Sequence, residues 1–361
     1  MNWRLVAIAA SVVPFIILIF TANLSPQDVL AVGLVPFLAS AAAAIIKMLL
    51  QALRFKYFIR HFLGYDVAST GKTVAARLAG EFVTQTTPSY VGGEIVRMAW
   101  LTRNGVTPGK AAWVTSMEII ADVFVGAVLA FIAGALAIYR GGSVIGLAVI
   151  LITIPTLAVW LGLILLSAKR TLRLPSFSQK IVEKFLSKKR SENLINSTNT
   201  AIADLCNMSR EIFNSKKSIR TFAVGIAITV LAFVFQGISF MVLANAVEPR
   251  IGLFDSLMAT SASTAVANLP ITIGGSGLAE LGIWAYLANL SGIPNLDDVV
   301  NDSQLNVIIA WRIATYHVPL VLAWIALMKI TVYRVSAPNI RQPITGHEDK
   351  KPDNDKTGTI R

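Results

Sequence analysis

Two short stretches, Pro88-Ser-Tyr-Val-Gly92-Gly93 and Pro270-Ile-Thr-Ile-Gly274-Gly275, share the spelling P-x-x-x-G-G at corresponding places in two halves of a hydrophobic chain. Each interrupts an apolar or small-residue run, and each is followed by a carboxylate, Glu94 or Glu280. Proline removes a backbone donor and paired glycines release φ, so no regular helix runs through either motif. In a bilayer, broken backbone survives only where it is buried in protein or faces a wet cavity. Matching interruptions in two halves are the sequence pointer to a transporter's binding site.

The chain around these motifs is strongly apolar. Hydrophobic residues make up 55% of the 361 positions and charged ones 14%, with a mean hydropathy of +0.64. That balance fits a polytopic membrane protein and excludes an ordinary soluble domain. A net charge of +12 would suit nucleic acid, but the basic residues sit between apolar segments, so membrane orientation accounts for them and no nucleic-acid partner is expected. A single cysteine, Cys206, permits no intrachain disulfide, and neither metal nor cofactor is expected.

Apolar runs of spanning length fall near 3–21, 30–50, 111–138, 143–166, 221–246 and 304–329. The two stretches broken by P-x-x-x-G-G, about 73–103 and 255–290, have halves too short to span. They read as re-entrant helical hairpins broken at Pro88 and Pro270. The fold class expected is an all-α polytopic membrane protein with six transmembrane helices and two such hairpins.

Charge sets the orientation. Arg54, Lys56, Arg60 and Lys72 follow the second span, and Arg97, Arg103 and Lys110 follow the first hairpin. The 167–220 loop holds twelve Lys or Arg against four acids, whereas Asp28, Glu248, Asp297, Asp298 and Asp302 mark the other side. Lys/Arg enrichment in cytoplasmic loops puts both termini inside a cell membrane. The first hairpin then opens to the cytoplasm and the second to the outside. Residues 1–140 and 143–333 form an inverted-topology repeat, with 334–361 a disordered cytoplasmic tail.

Ionisable groups at membrane depth need partners or water. Asp122 lies eleven residues into the third span, about 16 Å along its axis, and Glu118 is one turn earlier. Arg312, Tyr316 and His317 lie in the last span. Arg77 and Glu81 form an i, i+4 pair and Glu94 and Arg97 an i, i+3 pair on the two arms of the first hairpin. With no partner beside them in sequence, Glu118, Asp122 and Arg312 must pair across helices or line a cavity. Free N–H groups at Gly92, Gly93, Gly274 and Gly275, with Gly277, suit an anionic head group. Arg77, Arg97 and Arg312 add guanidinium forks matched to phosphate, and Tyr316 joins them. Glu81, Glu94, Glu118, Asp122, Glu280 and His317 either carry a coupling proton or balance the arginines.

At these residues the chain resembles the membrane domain of the lysyl-phosphatidylglycerol synthase family, often called flippase-like, over about 40–330. The resemblance rests on Gly92-Gly93-Glu94 with Arg97 and on the Glu118…Asp122 step. It continues through Leu269-Pro270 to Gly274-Gly275-Ser-Gly277-Leu-Ala-Glu280, then Arg312. In the family an arginine often follows the acid at 118; this chain has Ile119 there. The resemblance implies movement of a lipid between leaflets, typically one with an anionic or charge-modified head. Larger relatives add a soluble aminoacyl-transfer domain, whereas only a short polar tail follows 333 here, as in stand-alone members. The function expected is therefore a flippase for a phospholipid or polyprenyl-linked sugar, not an enzyme. Membrane lipids are its partners, with a homo-oligomer or an enzyme partner left open. Its rivals are a membrane-embedded lipid transferase using Glu94, Glu118, Asp122 or His317, and a non-transporting subunit of a glycosyltransferase or envelope complex.

Overall fold

A computed structural model describes residues 32–87, 92–169, 215–247, 251–269, 274–290 and 302–332, with isolated positions between 175 and 210 and at 272. The apolar run at 3–21, both motif prolines, most of the basic loop and the 334–361 tail lie outside the described residues. What is described is helical. The elements are α1 Leu34–Leu63, α2 Thr70–Thr86, α3 Gly93–Arg103, α4 Pro108–Tyr139, α5 Ser143–Lys169 and α6 Lys216–Ala244. They continue with α7 Leu253–Ala267, α8 Leu278–Leu290 and α9 Asp302–Arg312, then a π-turn at Ile313–His317 and α10 Val318–Val332. Among the described residues, five helical segments are long and apolar enough to cross a membrane: α1, α4, α5, α6 and the α9–α10 rod.

Local chemistry starts and stops these helices. Pro108 begins α4, where its missing N–H costs nothing. Ser215 caps α6 by accepting from the Ser218 N–H at 3.4 Å. Gly64, at φ +81°, closes α1 with its N–H on the Arg60 carbonyl.

That cap lies well beyond the end expected for the second span. Arg54, Lys56 and Arg60, read from sequence as a cytoplasmic linker, instead stand on α1. The helix continues because Phe55, Phe58 and Ile59 bury against the residues around Trp113 and Met117, and Arg54 itself is fully buried. Its charge is satisfied by partners in α4, so no aqueous linker is needed.

Small residues set the closest contacts. A Cβ on Gly146 would lie 2.6 Å from the Gly134 carbonyl oxygen, so α4 and α5 touch through their backbones. Gly225 makes room for the Phe58 ring where α1 packs on α6. The two broken stretches also fold back on themselves. A Cβ on Gly80 of α2 would meet the Gly93 carbonyl at 2.9 Å, and one on Gly282 of α8 would meet Ser263 Cα of α7 at the same distance. Each pair then reaches across the molecule: α2 packs on α10, while α7 packs on α4.

Replacing Gly146 by Val is expected to force α4 and α5 apart and cost about 1–3 kcal/mol by overpacking. Thermal unfolding of the detergent-solubilised protein checks this, with Gly162→Val, where a Cβ meets open space, as the control.

Candidate functional site

The buried acid Glu118 organises the first half of the site. Its carboxylate lies 2.5 Å from Arg77 Nε, 3.1 Å from Arg97 Nε and 3.4 Å from an Arg54 Nη. Three helices, α1, α2 and α3, thus each send an arginine to one residue of α4. Arg54 also grips Asp122 with both Nη atoms at 2.7 Å and donates to Thr229 Oγ1 of α6 at 2.5 Å. A two-pronged guanidinium–carboxylate contact of this kind fixes direction as well as distance. Arg77 makes its i, i+4 pair with Glu81, and Arg97 its i, i+3 pair with Glu94 at 3.5 Å, as the spacing predicts.

Both breaks use one device. The Gly92 N–H donates to Glu94 Oε2 at 2.8 Å, and the Gly277 N–H donates to Glu280 Oε2 at 2.8 Å. The second oxygen of each carboxylate holds an arginine, Arg97 for Glu94 and Arg312 for Glu280, the latter at 2.8 Å. The glycine geometry makes this reach possible: Gly92, Gly274, Gly275 and Gly277 all have positive φ. The Gly92 and Gly277 donors are therefore capped by the chain's own acids, where sequence reasoning left the break donors free for a ligand. Acids at the start of a helix also favour its positive end.

The two breaks meet at Tyr316. Its hydroxyl donates to the Gln85 carbonyl at the end of α2, 2.7 Å away. A side chain on Gly274 would strike that hydroxyl and the same carbonyl, so only glycine fits there. Arg312 donates to the Gly274 carbonyl at 2.5 Å, and its guanidinium carbon lies 4.0 Å above the Tyr316 ring. Gln85 in turn donates to Glu81 at 3.1 Å. The contacts run unbroken from Asp122 through Arg54, Glu118, Arg77, Glu81, Gln85, Tyr316 and Arg312 to Glu280. The π-turn carries Tyr316 and His317 at the centre of the last span, a wide turn of a kind frequent at functional positions. His317 Nδ1 sits 3.3 Å from the Arg312 carbonyl, and its ring lies edge-on to Tyr316.

The sequence-designated charged residues that are described, with Gly92, Gly274, Gly277, Tyr316 and His317, make contacts within this network, Gly93 and Gly275 stand at the breaks, and Pro88 and Pro270 lie outside the described residues. Glu118, followed by Ile119 in this chain, takes its cationic partners from other helices, as Arg54, Arg77 and Arg97. Sequence reasoning missed Arg54, Gln85, Thr229 and Lys47, whose Nζ donates to Gln236 Oε1 at 2.6 Å. A lysine inside an apolar run is itself a signal; Lys47 stands within the 30–50 run. Among the described residues no group of three His, Cys, Asp or Glu is arranged to hold a metal ion.

Long apolar helices around an internal arginine–carboxylate network define a multi-pass helical membrane protein. The chain belongs to the family described as the lysylphosphatidylglycerol synthase TM region, whose family model matches residues 4–323. It is also 26% identical, over 280 residues, to a protein of Archaeoglobus fulgidus described as a UPF0104 membrane protein. That match covers 74% of this chain and 78% of the relative.

Neutralising Glu118 removes one of the two carboxylates that each of Arg54, Arg77 and Arg97 contacts, and leaves buried Arg97 only Glu94 at 3.5 Å. Glu118→Gln is expected to lower stability by about 3–5 kcal/mol, the usual cost of leaving a buried charge without its partner. Denaturant unfolding measures the loss. A change under about 1 kcal/mol would show the arginines finding other partners.

Proposed function

We propose that this chain moves a lipid with an anionic or phosphate-bearing head between membrane leaflets by alternating access. One observation carries the reading: the two glycine breaks, each with a carboxylate bridging a backbone N–H and an arginine, meet at Tyr316. Broken helices that converge inside a membrane protein are where transporters hold polar substrates.

The packing supports an inverted repeat of 1–140 and 143–333. α1 corresponds to α6, the α2–α3 pair to α7–α8, and α4 to the α9–α10 rod. Corresponding helices α1 and α6 lie against each other, and each hairpin packs on the last span of the opposite half. With the run at 3–21 as a sixth span, α2–α3 and α7–α8 become re-entrant hairpins entering a cell membrane from opposite sides. The charge bias then keeps both termini cytoplasmic.

In this mechanism the lipid tails stay among neighbouring lipids while the head enters between the hairpin tips. Arg77 and Arg97 are committed to Glu118 and hold the first hairpin. Arg312 is the exchangeable one: its carboxylate partner Glu280 is 28% exposed, so a phosphate can replace it on the guanidinium. The released Glu280 then takes a proton or turns to water, and rocking of the halves about the Tyr316–Gln85 contact exposes the head to the other leaflet. Membrane lipids serve as substrate and solvent together, and a second copy or an enzyme that makes the lipid would act from the side.

The test is leaflet-resolved transfer of a fluorescent phospholipid in proteoliposomes. Arg312→Ala and Glu280→Gln should each slow transfer by about tenfold or more, a barrier increase of roughly 1.4 kcal/mol. Unchanged rates in both variants, or covalent conversion of the lipid in place of transfer, would defeat the proposal.

A further inference from the structure

Two buried acceptors on residues that touch Tyr316 have nothing donating to them. One is on His317. Its Nδ1 lies 3.3 Å from the Arg312 carbonyl, and a carbonyl only accepts, so Nδ1 carries the proton of the neutral ring. Nε2 is then a bare lone pair; it is buried, and among the described residues no donor reaches it. The other acceptor is on Gln85. Its amide nitrogen donates to the Glu81 carboxylate at 3.1 Å, and a carboxylate likewise only accepts, which fixes Oε1 as the unspent end of the amide. Gln85 is 8% exposed, and Oε1 too is buried without a donor among the described residues.

Both residues stand at the junction of the two breaks. The Tyr316 hydroxyl donates to the Gln85 carbonyl at 2.7 Å, and the His317 ring stands edge-on to Tyr316 with ring centres 5.0 Å apart. The Arg312 guanidinium carbon lies 4.0 Å from the centre of the same Tyr316 ring, so at most 9.0 Å separates it from the centre of the His317 ring. The π-turn Ile313–His317 follows Arg312 directly and sets guanidinium and imidazole against one aromatic side chain. Leaving a buried acceptor unpaired is costly, and two at one junction call for donors from elsewhere.

We propose that His317 Nε2 and Gln85 Oε1 form an acceptor subsite that reads a hydroxyl on the substituent of the phosphate held by Arg312. This rests on the lipid-transport reading above and narrows its substrate class to phosphodiesters whose head carries a hydroxyl, as a polyol or a sugar does. Phosphate replaces Glu280 on the guanidinium, and the group it carries enters beside Tyr316. Both acceptors are uncharged, so a neutral hydroxyl matches them without setting a second cation near Arg312. A head ending in an alkyl chain or a quaternary ammonium brings no donor and leaves both atoms unpaired. Sites built to hydrogen-bond a hydroxyl reject the analogue that lacks it for this reason.

The experiment uses the full chain in phosphatidylcholine nanodiscs and two fluorescent phosphatidyl probes with identical acyl chains and identical charge. One carries ethylene glycol on its phosphate and the other propanol, so they differ only by a terminal hydroxyl in place of a methyl. The wild type should bind the hydroxylated probe about tenfold more tightly, the effect of one well-placed hydrogen bond in a buried site. His317→Phe and Gln85→Met keep the bulk and remove the acceptor, and each should bring the ratio to within about twofold of unity. The ratio compares two lipids on one sample, so a loss of folded protein leaves it unmoved. Equal binding of the two probes by the wild type overturns the subsite, and a ratio preserved in either variant removes that residue from it. Selective binding without transfer between leaflets supports the subsite while defeating the transport reading. Equal binding and equal transfer of both probes defeats the subsite alone.

Discussion

Glu118 is the point on which the described structure turns. Burying a carboxylate and three guanidinium groups in an apolar assembly is unfavourable unless each charge finds its opposite at contact distance. That requirement fixes where α1, α2 and α3 stand relative to α4, because each must deliver its arginine to the same residue. Apolar packing alone would not specify this register in lipid, where the surroundings are as apolar as the helix faces. The ion network specifies the register, and the glycine contacts at Gly80, Gly134, Gly146 and Gly225 then let the backbones close to the required distance.

The same device serves both breaks, with an asymmetry. Glu94 lies in a group of three arginines and four acids, whereas Glu280 and Arg312 stand as a single pair beside Tyr316. The first half is consequently cross-braced by mutually dependent charges, and the second is held by fewer and more exposed contacts. In the alternating-access reading proposed above, such a difference lets one half act as the frame and the other yield.

Much of the fold was legible in the sequence because periodicity and interruption are local. Apolar runs located α4, α5, α6 and the α9–α10 rod within a few residues, and P-x-x-x-G-G located both breaks. The i, i+4 and i, i+3 ion pairs were readable for the same reason. Arg54 was not. Its meaning depends on Glu118 and Asp122, which lie 64 and 68 residues further along, and no local pattern announces a charge that will be buried by a distant helix. The Gly92 donor was misjudged as free because the acid that caps it, Glu94, follows so closely that it reads only as a neighbour of the motif. Tyr316 was named from its place beside Arg312; its role in joining α2 to the second break became visible only with Gln85 and Gly274 in view.

The distance along the chain between Arg54 and its counterions bears on biogenesis. A helix carrying Lys47 and Arg54 leaves the ribosome well before Glu118 and Asp122 have been synthesised, so α1 cannot settle alone in hydrocarbon at an acceptable cost. Its lateral release into lipid must wait for the helix that neutralises it. Burial of α1 in lipid is thereby tied to α4, whose two acids neutralise Arg54.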